Sequence, residues 1–180
     1  MEEPVSKLKV GPMEYLTETV NGLRDPGLLL VSLDRHRRPN AMTIGWGSVG
    51  VYWGLPIFVV PVRFSRYTYE CMEKTGDFTV NLLPRRLADL AAFCGTVSGR
   101  DHDKLAEAKL TAVDSALVKS PTLEECVLTY ECRVVHTNEV LSDTLLRDLK
   151  RSCYPRGDYH KLYFGEIVNV IADKQLRRKL

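Results

Sequence analysis

The stretch Arg63-Phe64-Ser65-Arg66-Tyr67-Thr68 concentrates two guanidinium groups, hydroxyls and the start of a helix in one place. A first helical turn leaves backbone N–H groups unpaired at the positive end of its dipole, so the segment suits a phosphate; it would equally make an ordinary capped helix with two solvated arginines. The loop Ser98-Gly99-Arg100-Asp101 is glycine-flexible and charged, with Asp101 placed to cap the helix that contains Lys104, and it reads either as a lid or as a capped surface loop. His160 and Asp158 follow the turn Tyr154-Pro155-Arg156-Gly157, where an imidazole can supply a proton, contact a substrate or serve the turn alone. Asp101, His102 and Asp103 do not predict a metal, because consecutive residues at a helix start point in different directions. No Ser-His-Asp, Gly-x-Ser-x-Gly or paired-carboxylate pattern stands out as a competing chemistry.

Gly45-Trp46-Gly47-Ser48-Val49-Gly50 matches the Gly-x-Gly-x-x-Gly string of dinucleotide-binding folds. That string works only where its glycines turn a strand into a helix facing a pyrophosphate. Here Val51-Tyr52-Trp53-Gly54-Leu55-Pro56 follows, with poor helix propensity and a breaker at its end. The glycines are better read as a loop whose backbone lies close against something flat.

Periodicity and punctuation predict the elements that position these groups. Residues 27–34 make a buried strand, a second begins near Ala41, and 56–63 a third, which Pro61 confines to an edge or bulge. Ser65 is the expected N-cap of a helix over 67–74 closed by Gly76, and 77–83 is the fourth strand. Pro84 opens a helix carrying Leu87, Leu90, Ala91 and Cys94 until Gly95, and 102–108 is a short helix. Residues 126–135 alternate as a strand, with Cys126, Leu128, Tyr130, Cys132 and Val134 on one face; 142–152 is an amphipathic helix and 161–172 the last strand. This order lacks the regular strand-helix alternation of a parallel sheet, so the fold class is mostly β with helices, an antiparallel barrel.

The 180 residues suffice for one domain, 1–180, and 44% hydrophobic with 27% charged residues is ordinary for a globular protein. A net charge of +2 does not favour nucleic acid, and the short basic clusters 35–38 and 177–179 read as a solvated turn and tail. The longest apolar run, 54–62, is too short for a bilayer and no secretory leader is evident, which predicts a cytoplasmic address. Five cysteines without Cys-x-x-Cys spacing predict reduced thiols, neither disulfides nor a zinc site, and Cys94 is read as packing.

In order along the chain, Asn40-Ala41-Met42-Thr43-Ile44-Gly45-Trp46, a strand ending at Arg63, Ser65-Arg66-Tyr67-Thr68 and Gly76-Asp77-Phe78-Thr79-Val80-Asn81 resemble the flavin reductase family with its FMN-binding split barrel. The stretch from Cys94 to Lys104 and Tyr159-His160 ahead of Gly165-Glu166-Ile167-Val168 fit as well. The resemblance implies that FMN is bound and takes hydride from NAD(P)H, while the protein binds, orients and shields it. It places the isoalloxazine ring against Asn40, Met42, Thr43, Ile44, Gly45, Trp46, Gly47 and Ser48, with Trp46 as a wall or a core aromatic. The phosphate falls to Arg63, Ser65, Arg66, Tyr67 and Thr68, while Ser98, Gly99 and Arg100, in a loop read as a lid or nicotinamide-side wall, and Lys104 join the cofactor-binding set. Asn81 joins the cofactor set or serves as a turn residue, and His160 is the candidate catalytic group. The resemblance also implies a homodimer with FMN near the subunit boundary and a small-molecule or protein electron acceptor. Two rivals stay open: an FMN electron carrier without NAD(P)H turnover, and a barrel that has lost the cofactor.

Overall fold

The computed structural model describes residues 7–180. β1 (Lys7–Lys9) and α1 (Leu16–Arg24) precede a hairpin of β2 (Leu28–Leu33) and β3 (Pro39–Ile44). Asp34 builds its turn, accepting from the backbone N–H groups of His36 at 2.7 Å and Arg38 at 2.9 Å. A second hairpin, β4 (Ser48–Tyr52) and β5 (Leu55–Arg63), leads to α2 (Tyr67–Thr75) and β6 (Asp77–Leu82). A 3-10 turn over Arg85–Leu87, α3 (Ala88–Thr96), α4 (Lys104–Ala108) and the short pair β7 (Ala112–Val113) and β8 (Thr122–Leu123) follow. The remainder is β9 (Leu128–Glu139), a 3-10 turn over Ser142–Thr144, α5 (Arg147–Cys153), β10 (His160–Asp173) and α6 (Leu176–Lys179).

One 8-stranded sheet runs β3-β2-β6-β9-β10-β5-β4, with β1 also paired to β10. Every pairing in it is antiparallel. The sheet is not closed: its outer strands β3 and β4 are neighbours in the chain, and residues 45–47 carry the backbone across the gap. The order of elements predicted an antiparallel barrel with helices packed around it, and the resemblance implied the split form observed here. Alternation along β2 sends Leu28 and Leu30 into a core with Phe58, Val60, Phe78 and Tyr130. Its other face sends Leu29 and Val31 into a second core with Ala41, Ala91, Cys94 and Leu105, because α3 and α4 cover that side. β4 pairs with β5 only between Leu55 and Val59, so Pro61 lies where that side of β5 is an uncovered edge.

Several boundaries differ from the sequence expectation. β1, α1 and β4 were not anticipated, and part of the glycine loop is the strand β4. β9 begins at Leu128 because the chain turns at 123–126, so Cys126 packs with Leu123 in the second core, away from Leu128, Tyr130 and Cys132. The helix expected over 142–152 is a 3-10 turn and the shorter α5, none of whose residues is buried. Gly95 does not end α3, which runs on to Thr96; instead a Cβ at Gly95 would lie 3.3 Å from Thr43 Cβ. α2 does close at Gly76, with φ 71° and its N–H on Met72 O. All five cysteines are free. Among the described residues no helix is long and apolar enough to cross a membrane.

Two carboxylates pin the long connection before β8. Asp77 accepts from the N–H groups of Lys119 (3.1 Å) and Ser120 (2.9 Å). Glu131 accepts from those of Ala116 (3.1 Å) and Leu117 (2.7 Å) and from Asn169 Nδ2 (2.9 Å), so both buried charges are fully hydrogen-bonded. At Gly165 the β9–β10 register shifts, and a Cβ there would meet Phe78 at 2.4 Å and Cys132 Cβ at 2.8 Å. Gly165→Ala is therefore expected to cost about 1–3 kcal/mol, read as a lower urea midpoint with an unchanged slope.

Candidate functional site

A cleft of about 190 Å³ opens at the split, where β3 and the following loop face the ends of β5 and β10. Residues 42–46 line it together with Pro61, Arg63, Arg66 and His160. A second cleft of about 140 Å³ is bounded by Ser65, Arg66, Tyr67 and Thr68 at the start of α2, by residues 94–100, and by Asn40 and Lys104. Met42 and Arg66 belong to both. The two segments on which the expected site depends thus lie side by side.

Strand register places the aromatic wall. His160 opens β10 opposite Arg63 of β5 and is 7% exposed, its ring 5.1 Å from that of Trp46. Its Nδ1 shares a 2.7 Å hydrogen bond with the Tyr154 hydroxyl, which leaves Nε2 as the ring nitrogen without a protein partner among the described residues. Burial, then the charges of Arg63 and Arg66, push the His160 pKa down to about 4, with Asp158 opposing them. The imidazole is therefore neutral at physiological pH. Tyr154 itself lies under the Arg63 guanidinium, 4.9 Å from its ring centroid.

The second cleft is cationic. Arg66 forms no ion pair among the described residues, whereas Arg38 pairs with Asp34 at 2.9 Å and Arg100 with Glu70. Lys104 is buried, donates to Cys94 O at 2.8 Å, and has its pKa lowered chiefly by burial and further by Arg66. Arg66 is also the N-cap of α2 and makes no capping hydrogen bond with its side chain; the Tyr69 N–H is taken by Arg66 O at 3.0 Å, which leaves the N–H groups of Tyr67 and Thr68 open among the described residues. Asn40 is 5% exposed; its Nδ2 donates to Thr68 Oγ1 at 2.9 Å while its Oδ1 has no partner. Gly99 stands against that oxygen so closely that a Cβ would lie 2.0 Å away.

Not every expected residue is free for a ligand. Ser65 is not the cap of α2: its hydroxyl and N–H both go to the Asp158 carboxylate, at 2.7 and 3.2 Å. Arg63 spends its two terminal nitrogens on the carbonyls of Asp158 (2.7 Å) and Cys153 (2.9 Å). The Thr43 hydroxyl donates to Ala91 O at 2.5 Å and is thereby already engaged. Tyr67 reaches Asp34 at 3.3 Å. Asp103, not Asp101, caps α4, accepting from Ala106 N at 3.2 Å. Gly47 and Ser48 line neither cleft; Ser48 pairs with Val59 in β4, and Gly47 lies against Val59 O and the Phe58 ring. Asn81 also lies elsewhere, fully buried and bonded to Leu29 O, Thr79, Leu123 N and Thr129. The reading missed Tyr154, whose only local signal was its place at the start of the turn before His160.

The model of the flavin reductase like domain matches residues 24–180, and the chain belongs to that family. A protein of Archaeoglobus fulgidus described as uncharacterized is 32% identical over 133 residues, 74% of this chain and 65% of its own length. An Aeropyrum pernix relative is matched over 50% of its length, so this chain spans half to two thirds of these relatives. An NADH-dependent FMN reductase of Streptomyces nodosus is 28% identical, covering 81% of this chain and 68% of that protein. Among solved structures, a flavoredoxin of Desulfovibrio vulgaris superposes with a TM-score of 0.68 at 26% identity, covering 83% of this chain and 70% of that one.

Because the folded chain holds the His160 pKa at about 4 against an ordinary 6.5, the unfolded chain takes up more protons between those values. This contribution to stability is complete above pH 6.5 and is lost as the pH falls towards 4. Urea midpoints should fall across that window, and His160→Gln should flatten that part of the profile.

Proposed function

We propose that the protein is an oxidoreductase that binds FMN across the two joined clefts, accepts electrons from NADH or NADPH and delivers them to a flavin or another small-molecule acceptor. The observation that carries this reading is Arg66: a guanidinium without a counter-ion among the described residues, in the lining common to both clefts and beside an uncapped helix start. Its charge disfavours the protonated forms of both Lys104 and His160, a strain that an anion would relieve. The donor set suits FMN. Arg66, Lys104 and the open N–H groups of α2 would hold the phosphate, and the unpartnered Asn40 Oδ1 would accept from a ribityl hydroxyl. The backbone of 42–46 would lie along the ring, with Trp46 and His160 as the facing wall.

FMN would supply the hydride and single-electron chemistry that no side chain here provides. The protein's part is to orient it and exclude water. A neutral His160, held at Nδ1 by Tyr154, would present Nε2 for a proton or a substrate contact without adding positive charge to the cleft.

The relative described as an NADH-dependent FMN reductase supports the nucleotide as donor. The likeness to a flavoredoxin supports the second reading, an FMN electron carrier between protein partners. We take the active form to be a homodimer with FMN near the boundary, supported by the exposed Val51, Tyr52 and Trp53 at the β4–β5 turn. The five free thiols support a cytoplasmic setting.

Stopped-flow mixing of FMN-loaded protein with NADH or NADPH should bleach the flavin absorbance. Loaded protein that reacts with neither nucleotide favours the carrier, and protein that takes up no FMN sinks both readings. Arg66→Ala should weaken FMN binding by roughly ten- to a hundredfold, measured by flavin fluorescence quenching.

A further inference from the structure

Ser65, which lines the proposed phosphate site, is already engaged by a carboxylate. Asp158 Oδ2 accepts from the Ser65 hydroxyl at 2.7 Å and Oδ1 from the Ser65 N–H at 3.2 Å. One O–H and one N–H just ahead of a helix start are the donors an oxyanion would use. Asp158 is held there through its backbone, since its carbonyl and that of Cys153 both accept from Arg63, at 2.7 and 2.9 Å. Yet the Asp158 side chain makes no ion pair among the described residues, so its negative charge is not cancelled by a specific cation. A phosphate dianion approaching Ser65 must displace this carboxylate or tolerate a like charge at hydrogen-bonding distance.

Resting on the FMN reading above, we propose that Asp158 is a specificity-determining residue that competes with the flavin phosphate for Ser65. It thereby lowers the preference for FMN over riboflavin and keeps bound FMN in exchange with solution. Riboflavin has no phosphate, so the competition does not touch it. The neighbouring cations and the unpartnered Asn40 oxygen still receive the tail, which is why the carboxylate tunes affinity without abolishing it.

The test is fluorescence-quenching titration of FMN and of riboflavin against the full chain, Asp158→Asn and Asp158→Ala. The asparagine keeps an acceptor for Ser65 and removes the charge; the alanine removes both. FMN is expected to bind both variants about tenfold more tightly, while riboflavin affinity stays within about twofold, so the ratio of the two constants moves. FMN binding that is unchanged or weaker in both variants would make Asp158 a support for Ser65 and overturn the competition while leaving the flavin site standing. Equal tightening for both flavins overturns it too, since the effect would not depend on phosphate. Failure of the unmodified protein to bind either flavin overturns this inference together with the reading beneath it.

Discussion

The antiparallel register of β10 against β5, with His160 opposite Arg63, is the constraint on which the cleft depends. Side chains alternate along a strand, so a slip of one residue would turn the imidazole out of the wall it shares with Trp46. β10 is held from both sides, by β5 and by the long β9, and Gly165 lets it pass close over Phe78. The same strand also fixes the helix that offers its N–H groups to an anion. Glu73 of α2 accepts from the Tyr163 hydroxyl at 2.8 Å and from Lys161 Nζ at 2.9 Å, both on β10. The proton-handling residue and the anion-receiving helix are thereby referenced to one strand.

Charge is distributed unevenly on this frame. Arg38, Arg100, Arg133 and Lys161 have carboxylates beside them, and among the described residues Arg66 does not. A folded protein can place a counter-ion near an exposed guanidinium at little cost, and exposed pairs contribute little in return. The missing partner at Arg66 matters because of its company: a buried lysine, a buried histidine and an open helix start. The guanidinium, the lysine and the helix start raise the local potential together, and the histidine stays neutral beside them, while the whole chain carries only +2. A net charge summed over the whole chain could not reveal a cationic spot of this size.

What the sequence disclosed was local in the chain. The apolar runs of β2, β5 and β10, the glycine that ends α2, and the clustering of 42–46, 65–68 and 98–104 were legible because their signals lie within a few residues. β4 was hidden by glycines and by Pro56, which read as loop until the pairing with β5 is seen. Asn81 looked like a strand-end residue, but its partners come from Leu29, Leu123 and Thr129, none near it in sequence. The link between Ser65 and Asp158 spans 93 positions, and no local rule points to it.

That link explains the one place where the local rules fail most plainly. Serine is among the favoured helix caps, and a lost cap costs about 1 kcal/mol. Here Ser65 sits one residue too early and is engaged by Asp158, so α2 begins on an arginine that caps nothing. A helix selected for stability alone would have its serine at the cap and its first N–H groups satisfied. Departures of this kind gather where a site must receive something from outside. The uncapped start, the unpaired guanidinium and the half-satisfied amide of Asn40 converge on one cleft. The open helix start and the half-satisfied amide each cost a little stability, the guanidinium adds charge, and a single anionic, hydroxyl-bearing ligand would answer all of them together.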